Sequence, residues 1–177
     1  THYHMLSYVT IEIPSYLSAH FPGVDTSLKS ITGHSMGGHG ALTIAFRDPS
    51  SWTSVSAFAP ICHPTSCARW KEAFEAYLEG GVADGREYDA TEILAARNTP
   101  IVEYDEIIIE QGTADAVLEL MAPEDLEAAA AKCGQNVVLN WREGFDHGDH
   151  FIAAFIESHV AFHAKRLYRK LHARNAA

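Results

Sequence analysis

The chain has 177 residues, enough for one domain with a sizeable core, and its 47% hydrophobic and 20% charged residues are ordinary for a soluble globular protein. Its formal net charge of −10 argues against nucleic acid or an anionic membrane as a partner, since neither tolerates an acidic surface without a compensating basic patch. No stretch is long and apolar enough to span a membrane, and three cysteines cannot form a closed disulfide set, which points to a reducing compartment.

The chain opens Thr1-His2-Tyr3-His4 without an initiator methionine and reads as cut from something longer. From about Met5 to Phe21, Leu6, Val9, Ile13 and Leu17 recur at helical spacing, with Pro14 as a kink and Pro22-Gly23 as the stop. Leu28 to Thr32 reads as a short strand. It leads into Gly33-His34-Ser35-Met36-Gly37-Gly38-His39-Gly40, which contains G-x-S-x-G, and Ala41 to Phe46 then reads as the apolar face of a helix stopped by Pro49. A serine at such a strand-to-helix turn has a strained backbone and an exposed hydroxyl. Gly33 and Gly37 are expected where strand and helix approach too closely for a Cβ, and the helix N-terminus directs N–H groups at the spot where an oxyanion forms.

Ser54 to Ala59 is the next strand, ended by Pro60. Residues 61–105 form a long excursion with one helix, Trp70 to Leu78, and a Gly80-Gly81 break. Lying between two strands, it is placed to line a pocket. Within it Trp70, Phe74 and Tyr77 repeat at helical spacing and read as core packing, with Trp70 at the pocket edge. Ile107 to Gly112 is a buried-strand pattern running into a turn that carries Asp115. Pro123-Glu124-Asp125-Leu126 opens a helix that Gly134 caps. Val137 to Arg142 is a strand, followed by the loop Glu143-Gly144-Phe145-Asp146-His147-Gly148. The last helix runs from about His150 to His172 with Phe151, Phe155, Ile156, Val160 and Leu167 on its apolar face. Its basic residues Lys165, Arg166, Arg169, Lys170 and Arg174 read as a solvated face.

Ser35, Asp115 and His147 thus come in the order nucleophile, acid, base, each after a predicted strand. That is the triad order of the α/β-hydrolase fold: a mostly parallel sheet flanked by helices, with its site at the carboxyl ends of the strands. Asp105, Glu106 and Glu110 compete with Asp115, and His150 with His147, but none is placed as well relative to a turn. His34 and His39 either shape the pocket or pack beside the nucleophile. His147, Asp149 and His150, with His63, lack the spacing of a metal site. Cys62, Cys67 and Cys133 read as free thiols. His159 and His163 share one face of the last helix and are expected exposed or half-buried.

Several strings go further than a generic hydrolase. The segment Gly33 to Leu42 resembles the nucleophile region of the S-formylglutathione hydrolase (esterase D) family. Ser54 to Cys62, Ala73-Phe74, Tyr77-Leu78, Tyr88-Asp89-Ala90-Thr91, Gln111 to Asp115, Asp146-His147 and Phe151-Ile152-Ala153 resemble the same family, almost end to end. The resemblance implies a single α/β-hydrolase domain over 1–177, with Ser35 as nucleophile, His147 as general base and acid, Asp115 as its orienting acid, and the Met36 N–H in the oxyanion hole. It implies no metal or cofactor, a cytoplasmic homodimer, and hydrolysis of S-formylglutathione to glutathione and formate, the second half of glutathione-dependent formaldehyde detoxification. Three differences from the family pattern stand out. An N-terminal segment of roughly a third of the full chain, carrying the first strands and the second oxyanion donor, is absent here. The expected result is a chain nearly inactive by itself, with an unpaired apolar edge on the strand before Ser35. Pro-Trp-Gly is replaced by Ala68-Arg69-Trp70, and Ser-Tyr-Tyr after the histidine by Gly148-Asp149-His150. Two rival readings share parts of this pattern: a general carboxylesterase or acyltransferase with the same triad, and a truncated, inactive hydrolase-fold interaction module, which the intact Ser, Asp and His oppose.

Overall fold

The computed structural model describes residues 4–176. Four parallel strands, β1 (Ile31–His34), β2 (Val55–Phe58), β3 (Ile107–Gly112) and β4 (Val137–Arg142), lie in the order β1-β2-β3-β4. The helices that connect them are α3 (Met36–Arg47) after β1, α4 (Ala68–Tyr77), α5 (Gly81–Gly85) and α6 (Ala90–Ala95) between β2 and β3, and α7 (Leu118–Met121) and α8 (Pro123–Cys133) between β3 and β4. α1 (Met5–Ser7) and α2 (Ile13–His20) precede the sheet, and α9 (Asp149–Ala176) follows it.

Strand alternation sorts the two faces of the sheet. Val55, Ala57, Ile107 and Ile109 face α3, α6 and α8 and form the main core with Leu42, Phe46, Leu94 and Leu126. Ser56, Phe58 and Glu110 point to the opposite face, where α9 covers them and Phe58 meets Phe151. The four predicted strands are all present. β1 begins later than expected because Asp25 holds a turn: its carboxylate accepts from the Ser27 N–H and its backbone carbonyl from the Leu28 N–H, so pairing starts only at Ile31↔Val55.

The first helix differs from its sequence pattern. A π-helical stretch, Tyr8–Glu12, separates α1 from α2, and Pro14 sits in the first turn of α2. Proline has no N–H to give and its ring crowds the preceding turn, so the ladder widens rather than bends sharply. Residues 61–105 also hold more helix than expected. One addition is α6, where Asp89 caps the helix by accepting from the Thr91 and Glu92 N–H groups; its other oxygen takes the Thr65 N–H and hydroxyl. This fully buried carboxylate pins the excursion to the core.

α9 buries a different stripe from the one expected. Phe151, His159 and Phe162 are buried, whereas Ile156 and Val160 face solvent, Val160 with 60% exposure. Helical spacing allowed either choice, and the aromatic cluster of Phe58, Phe145, Phe151 and Phe155 decides it. The basic residues of α9 are not simply solvated. Arg166 pairs with Asp105 and Glu106, Arg169 with Asp105, and Arg174 with Asp25. Cys62, Cys67 and Cys133 are free, and burial first of all pushes the Cys62 thiol well above its ordinary range. Among the described residues no helix is long and apolar enough to cross a membrane.

Candidate active site

Ser35 sits between β1 and α3 with φ 56° and ψ −118°, a backbone conformation rarely adopted by a residue with a side chain. Its N–H donates to the Phe58 carbonyl at 2.9 Å, which ties the turn to the end of β2. Gly33 makes the turn possible, because a Cβ there would lie 2.2 Å from the Gly37 carbonyl oxygen. The expectation for Gly37 does not hold, since a Cβ there would meet nothing within 4 Å. The second close approach belongs to Gly38, whose Cβ would lie 2.9 Å from the Pro60 Cβ.

The three residues expected from chain order meet at the carboxyl ends of the strands. His147 Nε2 lies 2.8 Å from Ser35 Oγ, and His147 Nδ1 lies 2.6 Å from Asp115 Oδ2. Asp115 is buried, and the His147 side chain is 26% exposed. The loop bearing His147 comes this close because β3 ends in Gly112, where a Cβ would strike the Phe145 carbonyl oxygen at 2.2 Å. The Ala114 N–H donates to that same carbonyl. Burial opposes ionisation of Asp115, but hydrogen bonds from His147, the Val117 N–H and the Gln111 side chain outweigh it and hold the carboxyl below its usual range. With a neutral imidazole between the two, a proton can pass from Ser35 Oγ to Nε2 while Asp115 holds Nδ1–H.

The competing residues are engaged elsewhere. Asp105 and Glu106 bind Arg166, and Glu110 binds Arg142 beneath the sheet. His150 stacks on Phe145 at 5.8 Å. His63 bonds Asp125 at 2.7 Å, and no group of three His, Cys, Asp or Glu among the described residues is arranged to hold a metal ion. His39 is half-buried and donates from Nδ1 to the Ile61 carbonyl at 3.3 Å; desolvation first of all holds it below its ordinary pKa.

Gln111 has no role in the sequence pattern, and His34, read as shaping the pocket or packing beside Ser35, lies against the triad. Gln111 donates to Asp115 Oδ2 at 3.0 Å. A polar side chain closing an apolar strand was the available signal. His34 lays its ring 4.5 Å from that of His147, and burial followed by the nearby His147 lowers its pKa.

Beside Ser35 opens a cleft of about 250 Å³ lined by Met36, His39, Ile61, Trp70, Phe74 and Tyr77. Trp70 is fixed there by its Nε1–H bond to the Leu120 carbonyl at 3.0 Å. Phe74 and Tyr77 therefore belong to the cleft wall and not to the core, Tyr77 being 66% exposed.

The "Esterase" family model matches residues 1–165. The chain belongs to this esterase family. Its relatives include S-formylglutathione hydrolases of Rattus norvegicus, 44% identical over 169 residues, and of Paracoccus denitrificans, 40% identical over 166 residues, each match covering 94% of this chain and 58% of the relative. An S-formylglutathione hydrolase structure from Agrobacterium tumefaciens superposes with a TM-score of 0.85 at 41% identity, again over 94% of this chain and 58% of that one. A ferulic acid esterase shares the fold at a TM-score of 0.67 and 16% identity. The fold is that of the α/β-hydrolases. The matched part of the chain spans 58% of the length of these S-formylglutathione hydrolases.

Proposed function

We propose that this chain carries the catalytic machinery of a serine thioesterase that hydrolyses S-formylglutathione to glutathione and formate. The observation that carries the reading is His147 bridging Ser35 Oγ and a buried Asp115 in a chain 40–44% identical to S-formylglutathione hydrolases. The chain is one α/β-hydrolase domain, and the excursion 61–105 gives the cleft Ile61, Trp70, Phe74 and Tyr77.

His147 takes the Ser35 proton as Oγ attacks the thioester carbonyl. The Met36 N–H, first in α3, receives the developing oxyanion at the positive end of the helix. The thiolate leaves as formyl-Ser35 forms, and the proton held on His147 passes to it. Water, giving its proton to His147, then attacks the formyl ester, and Ser35 recovers its proton as formate departs. No metal or cofactor enters this sequence. The working form is a cytoplasmic homodimer acting on a small glutathione thioester.

A second activity on simple aryl or alkyl esters is favoured by the cleft, whose lining is almost wholly apolar and larger than a formyl group needs. The test is steady-state hydrolysis of S-formylglutathione and of an aryl acetate, in protein of the relatives' full length, with Ser35→Ala alongside. Fast thioester turnover abolished by the substitution supports the proposal. Fast aryl-ester turnover alone moves the protein to a general carboxylesterase, and failure of a fluorophosphonate to label Ser35 removes the hydrolase reading altogether.

A further inference from the structure

Beneath the candidate site, between the sheet and α9, runs a polar chain, half-buried at Ser30 and His163 and buried at Ser54, Ser56, His159 and Glu110, that the triad does not use. Ser30 Oγ lies 2.7 Å from Ser54 Oγ, and Ser54 Oγ lies 2.8 Å from His163 Nδ1. His163 Nε2 lies 2.8 Å from Ser56 Oγ, which lies 2.8 Å from His159 Nδ1. His159 Nε2 faces Glu110 Oε1 at 3.6 Å, and Glu110 also receives the Arg142 fork and the Asn140 amide. Ser56, Glu110 and His159 are each no more than 1% exposed.

The protons in this chain can be counted. Ser56 has one hydroxyl proton, and it points to Thr32 Oγ1 at 3.0 Å. Both imidazole nitrogens beside Ser56 must then donate to it. His163 spends its single proton this way and accepts at Nδ1 from Ser54, in keeping with a pKa that burial, His159 and Arg166 lower to about 4. His159 donates from Nδ1, which would leave Nε2 bare 3.6 Å from an ionised carboxylate oxygen. Two acceptors facing each other in a buried site are costly, whereas a second proton on Nε2 turns the contact into a charge-assisted pair.

We infer that His159 is a doubly protonated imidazolium locked between Ser56 and Glu110, and that it acts as a positioning residue for the catalytic turn. The groups facing it are Glu110 and, through Glu110, Arg142 from β3 and β4, Ser56 and Phe58 from β2, and His163 on its own helix. The link to the site is short. Phe58 and Glu110 are register partners on β2 and β3. The Phe58 ring stacks on His159 at 3.9 Å, and its carbonyl holds the Ser35 N–H. Glu110 offers its own carbonyl to the Ala59 N–H, and its neighbour Gln111 holds Asp115. One cation thus fixes the relative height of the β2 end, whose Phe58 carbonyl holds the Ser35 N–H, and the β3 end, from which Asp115 follows.

The second half of this inference rests on the serine-hydrolase reading; the first does not. Nitrogen-15 NMR of the histidine rings at pH 7, in protein of the relatives' full length, tests the protonation directly. The expected result is two protonated nitrogens on His159 in the parent and one in Glu110→Gln. A singly protonated parent ring overturns the inference whatever the enzyme does. The positioning role is read from His159→Gln with active sites counted by fluorophosphonate. The expected result is a kcat about tenfold lower per labelled site with KM unchanged, and partial recovery in His159→Lys, which restores a cation. An unchanged kcat per labelled site, with only Tm lowered, reduces His159 to a structural role. Absence of any labelling in the parent overturns the hydrolase reading and leaves the NMR result standing.

Discussion

Gln111 and His147 share one oxygen of Asp115, at 3.0 Å and 2.6 Å. The Asp115 carboxylate is therefore aimed from two sides, by Gln111 on the strand it follows and by His147. Gln111→Leu keeps the volume but removes one donor from a buried charge. A stability loss of about 1.5–3 kcal/mol is expected, and a kcat lower by about tenfold, since 1.4 kcal/mol of lost transition-state stabilisation is one decade. Chemical denaturation and steady-state kinetics on the same preparation measure both. An unchanged kcat would show that the Val117 N–H and His147 suffice to orient the acid.

Asp115→Asn leaves the geometry in place but presents a donor to His147 Nδ1 and favours the wrong tautomer. A fall of about 10⁴ in kcat is expected, with fluorophosphonate labelling of Ser35 slowed in parallel. Asp105→Asn, which alters an ion pair with Arg166 and Arg169 instead, should leave kcat within twofold, a difference that follows from its distance from the site.

Gly33→Ala and Gly37→Ala separate two meanings of the same motif. At Gly33 the added methyl meets a backbone carbonyl at 2.2 Å, and a loss of at least ~3 kcal/mol is expected because neither strand nor helix can yield. At Gly37 the methyl meets nothing within 4 Å, and Tm should hold or rise slightly from the better helix propensity. A thermal scan of the two variants decides it, and equal losses would contradict the packing argument.

Stability should depend on pH through His163. Its pKa is about 4 in the folded protein, lowered first by burial and then by the nearby His159 and Arg166, against about 6.5 in the unfolded chain. Between those values the unfolded chain holds a proton there that the folded protein refuses, so stability rises with pH. The contribution is complete above 6.5 and is lost as pH falls toward 4, amounting at most to roughly 3 kcal/mol. In His163→Gln the slope of unfolding free energy between pH 4 and 6.5 should flatten. An unchanged slope would place the titration elsewhere.

The strands and the three catalytic candidates were legible because each has a local signal: an apolar run, a glycine-bounded turn, an acid or histidine just past a strand. Gln111 was visible as a residue but not as a partner, since its bond to Asp115 depends on how the turn after β3 folds back. The burial of His159 was illegible for a related reason. Helix spacing placed it with His163 on one face, but only the presence of Ser56 and Glu110 under α9 makes that face the inner one. α5 has five residues and is too short to show a period, while α6 has six and depends on the cap at Asp89. The π-helical stretch before Pro14 answers a steric demand that no periodicity encodes.

The bond between Ser35 and His147 joins residues 112 apart, hung from the first and last strands of the sheet. Every intervening strand must be in register before the serine has a base. Reactivity toward a fluorophosphonate is then a clock for completion of the fold: a nascent or partly unfolded chain contains the same serine but leaves it inert. Labelling during refolding would time the closure of this contact between the first and last strands.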